Sequence, residues 1–169
     1  KKNTGLLLLQ NEVASDINLA ASHMAIAKGV EVWLNAAPAR SLQKELLKNV
    51  SVIILNRPEA FFYNDLLNTT EWSHITKILT LGAHGVSIYY PNKEQYHYDA
   101  FSVQTRSSHG AGDMFVGALA AHYLKGNSLS DSINYAQAAA AIKVSKSPNE
   151  RMKLGEEEVL NFLKTKTKR

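Results

Sequence analysis

Short apolar runs alternate with stretches of helical periodicity from Leu6 almost to the C-terminus, and this alternation limits the fold more than any other feature. It predicts an α/β architecture, a mainly parallel sheet with helices on both faces, because parallel strands need crossover connections that helices supply. Leu6–Gln10 reads as a buried strand. Ser15 or Asp16 can cap a helix whose Ile17, Ala20, Ala21 and Met24 recur at helical spacing toward Gly29. Strands are expected over 30–34, 50–55 and 78–81, with a short helical piece over 43–47 and a helix from the end of the third strand to about Leu66. Segments 86–90 and 96–103 flank the turn Pro91-Asn92-Lys93-Glu94 and read as an antiparallel pair. Three helices follow, over 112–125, 131–146 and 156–164. A length of 169 residues suits one domain, and neither an internal repeat nor a domain boundary is visible.

The octapeptide Gly110-Ala111-Gly112-Asp113-Met114-Phe115-Val116-Gly117 opens the first of those three helices. Gly110, Ala111 and Gly112 leave backbone N–H groups uncovered at a helix N-terminus, where an anionic phosphate is well held. Asp113 follows in the first turn, so donors for a phosphoryl group stand beside a base for an attacking hydroxyl. Read alone, the same residues also suit a glycine-rich turn followed by an ordinary first-turn acid that complements the helix dipole.

Composition removes several other classes. The chain has no cysteine, which excludes disulfides, thiolate metal sites and cysteine nucleophiles. No apolar run approaches the ~18–20 residues of a membrane span, and Leu6 to Leu9 is too short and wrongly flanked for a signal peptide, so a cytoplasmic protein is expected. The net charge is +4, but much of the excess sits in Lys164-Thr165-Lys166-Thr167-Lys168-Arg169, beyond the last apolar periodicity, where a solvated terminus accounts for it. No basic stripe interleaved with aromatics appears elsewhere, and nucleic-acid binding is not expected.

Two strand-to-helix connections carry further polar patterns. Asn56-Arg57-Pro58-Glu59 has the order of a capping box, with Asn at the N-cap, proline in the first turn and Glu three residues on. In Thr80-Leu81-Gly82-Ala83-His84-Gly85 the glycines serve a turn or a close backbone approach to a flat ligand. His23, His74, His84, His97 and His122 lack metal-ligand spacing and read as surface or boundary residues. No Gly-x4-Gly-Lys-Ser/Thr is present, and Gly110-x-Gly112 lacks the third glycine of a dinucleotide fingerprint.

The segment Ser107-Ser108-His109-Gly110-Ala111-Gly112-Asp113-Met114-Phe115-Val116-Gly117 resembles the C-terminal signature of the ribokinase (PfkB) family of carbohydrate kinases. Further stretches are similar in the same order: Leu8-Leu9-Gln10-Asn11-Glu12, Leu34-Asn35-Ala36-Ala37-Pro38-Ala39-Arg40, Asn56-Arg57-Pro58-Glu59, Leu79-Thr80-Leu81-Gly82-Ala83-His84-Gly85, and Tyr135-Ala136-Gln137-Ala138-Ala139-Ala140-Ala141-Ile142. The likeness runs from about Leu6 to Val144 and covers the C-terminal, nucleotide-binding part of the family's α/β domain. The Gly-Gly sugar motif and β lid of the N-terminal part have no counterpart.

The resemblance implies ATP-dependent phosphorylation of a sugar hydroxyl, with ribose the expected sugar. Asp113 is then the catalytic base, and Gly110, Ala111 and Gly112 form the anion hole. Asn56, Thr80, Gly82, Gly85 and Gln137 become nucleotide contacts, Glu59 an outer-shell ligand of Mg²⁺, and Glu12 a sugar contact. Nucleotide and sugar are the implied partners, with self-association or a separate N-terminal half left open. Ser107 and His109 replace an Asp and a Thr of the family's monovalent-cation loop, and Ser147-Pro148-Asn149 replaces a Gly-Ala, so little effect of potassium is expected. The stretch from Asn64 to Thr76 is short for the family, which predicts that a helix before Ile78 is trimmed or absent. A truncated, non-catalytic remnant that binds nucleotide or a partner is the alternative reading.

Overall fold

The computed structural model describes residues 5–151 and 154–166. Thr167, Lys168 and Arg169, half of the basic tail, lie outside the described residues. The chain divides into two compact units. One holds the chain up to Leu81 together with Val86–His97; the other holds Gly82–Gly85 and the chain from Tyr98 onward.

The first unit is built on a sheet of order β1-β2-β3-β4-β5-β6. Its strands are β1 (Leu6–Gln10), β2 (Glu31–Asn35), β3 (Val52–Asn56), β4 (Thr76–Thr80), β5 (Val86–Tyr89) and β6 (Gln95–Tyr98). The first four run parallel and β5 returns antiparallel to β4. Central strands β2 and β3 are apolar without alternation, as strands covered on both faces must be. Val32, Trp33, Leu34 and Ile53 are fully buried in them, and burial of such side chains contributes about 1.5–3 kcal/mol each. Short helices connect the strands: α2 (Lys44–Asn49), α3 (Arg57–Phe62) and α4 (Asn64–Leu67). Between Asn64 and Ile75 the chain forms α4 and a single 3-10 turn at Thr70–Trp72. Strand β6 ends at Tyr98 rather than near Val103.

The long helix α1 (Ser15–Ala27) departs from its sequence pattern. Its buried residues are Asn18, Ser22 and Ala25, whereas Ile17 and Met24 are 58% and 64% exposed. Hydrogen bonding explains the rotation. Asn18 Nδ2 donates to the Gln10 carbonyl at 2.9 Å, Asn49 Nδ2 donates to Ser22 Oγ at 3.0 Å, and Ser22 Oγ donates to the Leu19 carbonyl at 2.7 Å. Neither Ser15 nor Asp16 caps the helix; Ala14 holds that position without a side-chain bond.

The second unit is helical: α5 (Ala111–Leu124), α6 (Leu129–Ser145), α7 (Pro148–Arg151) and α8 (Glu156–Lys166). Ser128 starts α6 by accepting from the Asp131 N–H at 3.0 Å. Tyr135, Ala138, Ala139, Ile142 and Val159 form its core, with Met114, Ala118 and Phe162 packed against them. The alanine run on α6 supplies a smooth surface for this packing.

Candidate functional site

Parallel strands present their C-terminal ends along one edge of a sheet, and ligands of open α/β folds bind outside that edge. Asn56 and Thr80 are the last residues of β3 and β4 and are paired in register, so the structure brings these two candidates together. Asn56 is the N-cap of α3, and the capping box is complete: its Oδ1 accepts from the Glu59 N–H at 3.0 Å, and its own N–H donates to Glu59 Oε2 at 2.8 Å. Asn56 Nδ2 donates to the other carboxylate oxygen at 2.9 Å. Glu59 is buried, with both oxygens held by Asn56. The Thr80 hydroxyl donates to the Leu55 carbonyl at 3.2 Å. Glu12 is exposed beyond β1 and accepts from Gln10 Nε2 at 3.3 Å.

Beside Glu12 lies a polar hub that sequence reasoning missed. Asn11 is 2% exposed, and its Nδ2 lies 2.9 Å from the Ala36 carbonyl, 3.1 Å from the Pro38 carbonyl and 3.0 Å from Tyr63 Oη. Tyr63 Oη donates to the Arg40 carbonyl at 2.7 Å and accepts the Arg40 N–H at 3.0 Å. Burial holds the Tyr63 phenol above its ordinary pKa of 10.0, so the hydroxyl keeps its proton for that bond. The hub ties the ends of β1 and β2 to α3. Nothing in the pattern around Asn11 or Tyr63 announces a pair 52 residues apart.

In the second unit, Gly110 is the N-cap of α5 with φ +69°, a left-handed conformation that favours glycine. The Ala111 N–H is not open, since it donates to the Ser108 carbonyl at 3.1 Å. The Met114 N–H closes on the Gly110 carbonyl at 3.1 Å. Among the described residues no backbone acceptor serves the N–H groups of Gly112 and Asp113, which are therefore the available donors. A Cβ on Gly112 would meet nothing within 4 Å, so the turn faces open space there. Asp113 is exposed in the first turn, and its Oδ2 lies 3.7 Å from the point where a Cβ on Gly110 would stand. The Gly112 and Asp113 N–H groups and the Asp113 carboxylate thus share one turn, whereas the Ala111 N–H, a donor expected from the sequence, is taken by Ser108.

Gly82 and Gly85 bound a 3-10 turn, with the Gly85 N–H donating to the Gly82 carbonyl at 3.1 Å. Gly85 has φ +87°, and a Cβ there would stand 1.9 Å from the Tyr98 carbonyl oxygen. The close approach that requires this glycine is to the chain's own backbone. Gln137 lies within α6 and is 7% exposed; its Nε2 is buried and has no hydrogen-bond partner among the described residues. His122 stacks on Tyr135 at 4.3 Å and shares a hydrogen bond with Ser132 Oγ, and burial lowers its pKa below the ordinary 6.5. Among the described residues no group of three or more His, Cys, Asp or Glu side chains could hold a metal, and no helix is long and apolar enough to cross a membrane.

Comparison with known proteins gives these turns a context. The sequence model of the pfkB family of carbohydrate kinases matches residues 3–150. The ribokinase of Haemophilus influenzae is 34% identical over 170 aligned positions, which take in 93% of this chain and 55% of that protein. The crystal structure of ribokinase from Thermotoga maritima superposes with a TM-score of 0.81 at 27% identity, covering 95% of this chain and 57% of that one. Ribokinase from Cryptococcus neoformans, solved in complex with ADP, superposes with a TM-score of 0.72 at 26% identity, over 84% of this chain and 54% of that one. The chain spans about half the length of the curated relatives it matches.

Proposed function

The chain belongs to the pfkB family of carbohydrate kinases, and from that premise we propose that it carries the nucleotide-binding and phosphoryl-transferring half of an ATP-dependent sugar kinase. The sugar is ribose on this reading, because ribokinases recur among its relatives. Asp113 accepts the proton of the sugar hydroxyl as its oxygen bonds to the γ-phosphorus and the bond to ADP breaks. The open N–H groups of Gly112 and Asp113 hold the phosphoryl oxygens as charge develops on them, and Gly110 shapes the turn that aims them. Preorganised donors in comparable oxyanion sites are worth about 3–4 kcal/mol each. A loose transition state asks for orientation more than for early deprotonation, which suits a carboxylate fixed in a first helical turn.

Asn56 and Thr80 serve as nucleotide contacts in this reading, with the Gly82–Gly85 turn and the unpartnered Gln137 amide as further ones. Glu12 contacts the sugar. Mg²⁺, when bound, neutralises phosphate charge. With no three-ligand cluster among the described residues and both Glu59 oxygens already accepting from Asn56, these residues fit an ion held by nucleotide oxygens and water, with Glu59 in an outer role.

The observation that carries the proposal is the Gly110–Asp113 turn, with donors and carboxylate both open, in a chain of this family. Calorimetric titration with Mg-ADP tests it. Saturable binding is expected, and no detectable heat at millimolar nucleotide would overturn the proposal.

A further inference from the structure

We propose that Lys143 is a fixed cation of the phosphoryl-transfer site, its ammonium group engaging the terminal phosphate of a nucleoside triphosphate; this rests on the function proposed above. Lys143 stands in the last turn of α6, where a lysine ordinarily does no more than complement the dipole of its own helix. Its position here is more specific. Nζ and Cε lie 2.9 and 3.2 Å from the point where a Cβ on Gly110 would stand, the same point that Asp113 Oδ2 approaches to 3.7 Å. Glycine at 110 is therefore required by backbone conformation and also leaves the space into which the ammonium reaches. Carboxylate and ammonium flank one turn without closing an ion pair on each other, and the donors of Gly112 and Asp113 belong to that same turn.

The backbone that carries Lys143 is tied to the loop before Gly110. The Val144 carbonyl, next along the chain from Lys143, accepts the N–H groups of both Arg106 and Ser107 at 2.8 and 3.2 Å. This straps the end of α6 to the loop that leads into Gly110. On the opposite side, Ile142 and Met114, the neighbours of Lys143 and Asp113, belong to one apolar cluster. Two other cations of this unit have carboxylate partners: Arg106 pairs with Glu150 at 3.8 Å, and Lys146 pairs with Glu158. Lys143 has no ion pair among the described residues. An uncompensated ammonium beside open N–H donors and a carboxylate base is suited to a dianionic phosphate, and attraction of this kind acts over the few ångströms between adjacent phosphates.

The inference predicts selectivity between nucleotides. Mg-ADP and a non-hydrolysable Mg-ATP analogue with a β,γ-imido bridge are titrated into the chain and into Lys143→Met and Lys143→Arg, with a circular dichroism melt of each. Lys143→Met should weaken the triphosphate analogue at least about ten-fold while Mg-ADP changes less than about two-fold, and Lys143→Arg should restore most of the loss. Equal weakening of both nucleotides, or of neither, would overturn the role of Lys143 and leave the parent reading standing. Failure of the unaltered chain to bind either nucleotide would overturn the parent reading, and this inference with it.

Discussion

The strand ends of the sheet unit and the Gly110 turn of the helical unit treat their polar groups in opposite ways. At the strand ends Glu59 is held through both oxygens by Asn56, the Thr80 hydroxyl is bonded to the Leu55 carbonyl, and Asn11 and Tyr63 bond the 36–40 segment and each other. At the Gly110 turn the Gly112 and Asp113 donors face no backbone acceptor among the described residues, Asp113 is exposed, and Lys143 has no ion pair there. Buried polar groups left unpaired are costly, and the strand ends pair most of theirs, with Asn11 Oδ1 and Arg40 Nε left without a partner among the described residues. Exposed donors and charges fixed by a backbone turn cost little in the free protein and remain available to a ligand. The contrast leaves the strand-end groups bonded within the protein and the groups of the Gly110 turn open to solvent.

Tyr63→Phe should have the largest effect on stability. It removes the hydroxyl that accepts from Asn11 and bonds the part-buried Arg40 N–H and carbonyl, and losing these bonds should cost about 1–3 kcal/mol. Chemical denaturation would show this as a lower midpoint at unchanged slope. A change below a few tenths of a kcal/mol would remove the hub from the account.

Gly112→Ala breaks the comparison from the other side. Its Cβ enters open space inside a helix, so the variant should be more stable by roughly 0.5–1 kcal/mol. Nucleotide binding should fall nonetheless, because the added methyl obstructs a phosphate at that N–H. Unchanged Mg-ADP affinity in this stabilised variant would mean that the turn is not a phosphate cradle.

The smallest effect concerns His122, an engaged group within the helical unit. Burial places its folded-state pKa below 6.5, so below about pH 6.5 the unfolded chain takes up a proton that the folded chain refuses. The contribution of this residue is complete above that pH and is lost as the pH falls through the folded value. Denaturation midpoints at pH 7 and pH 5 should therefore differ less in His122→Gln than in the unaltered chain. An equal difference would show that His122 is not the group responsible.

The alternation of apolar and helical segments conveyed the sheet, its parallel part and the antiparallel return, because burial on both faces of β2 and β3 leaves a direct trace in composition. The buried face of α1 was not legible. Asn18 and Ser22 look like solvent residues in any periodicity, and only their bonds to the Gln10 carbonyl and to Asn49 turn them inward. At the candidate site the Gly110–Asp113 turn was legible as a local motif. The engagement of Ala111 by Ser108 and the reach of Lys143 to Gly110 were not, since the first depends on a loop conformation and the second on residues 33 positions apart brought together by packing of α5 on α6. The backbone reason for Gly85 was not legible either: a Cβ there would meet the Tyr98 carbonyl, a contact that the local sequence does not announce.

The central claim, that the open turn performs the chemistry, is tested most directly at Asp113. Transfer from Mg-ATP to ribose is measured for the chain joined to the N-terminal half of a ribokinase relative, with and without Asp113→Asn, alongside the stability of both proteins. The account predicts a loss of turnover of about 10²–10⁴-fold, as removal of a general base produces. Stability should change by no more than about 1 kcal/mol, the worth of a first-turn acid to its helix. Near-normal turnover by Asp113→Asn in that active protein would contradict the claim.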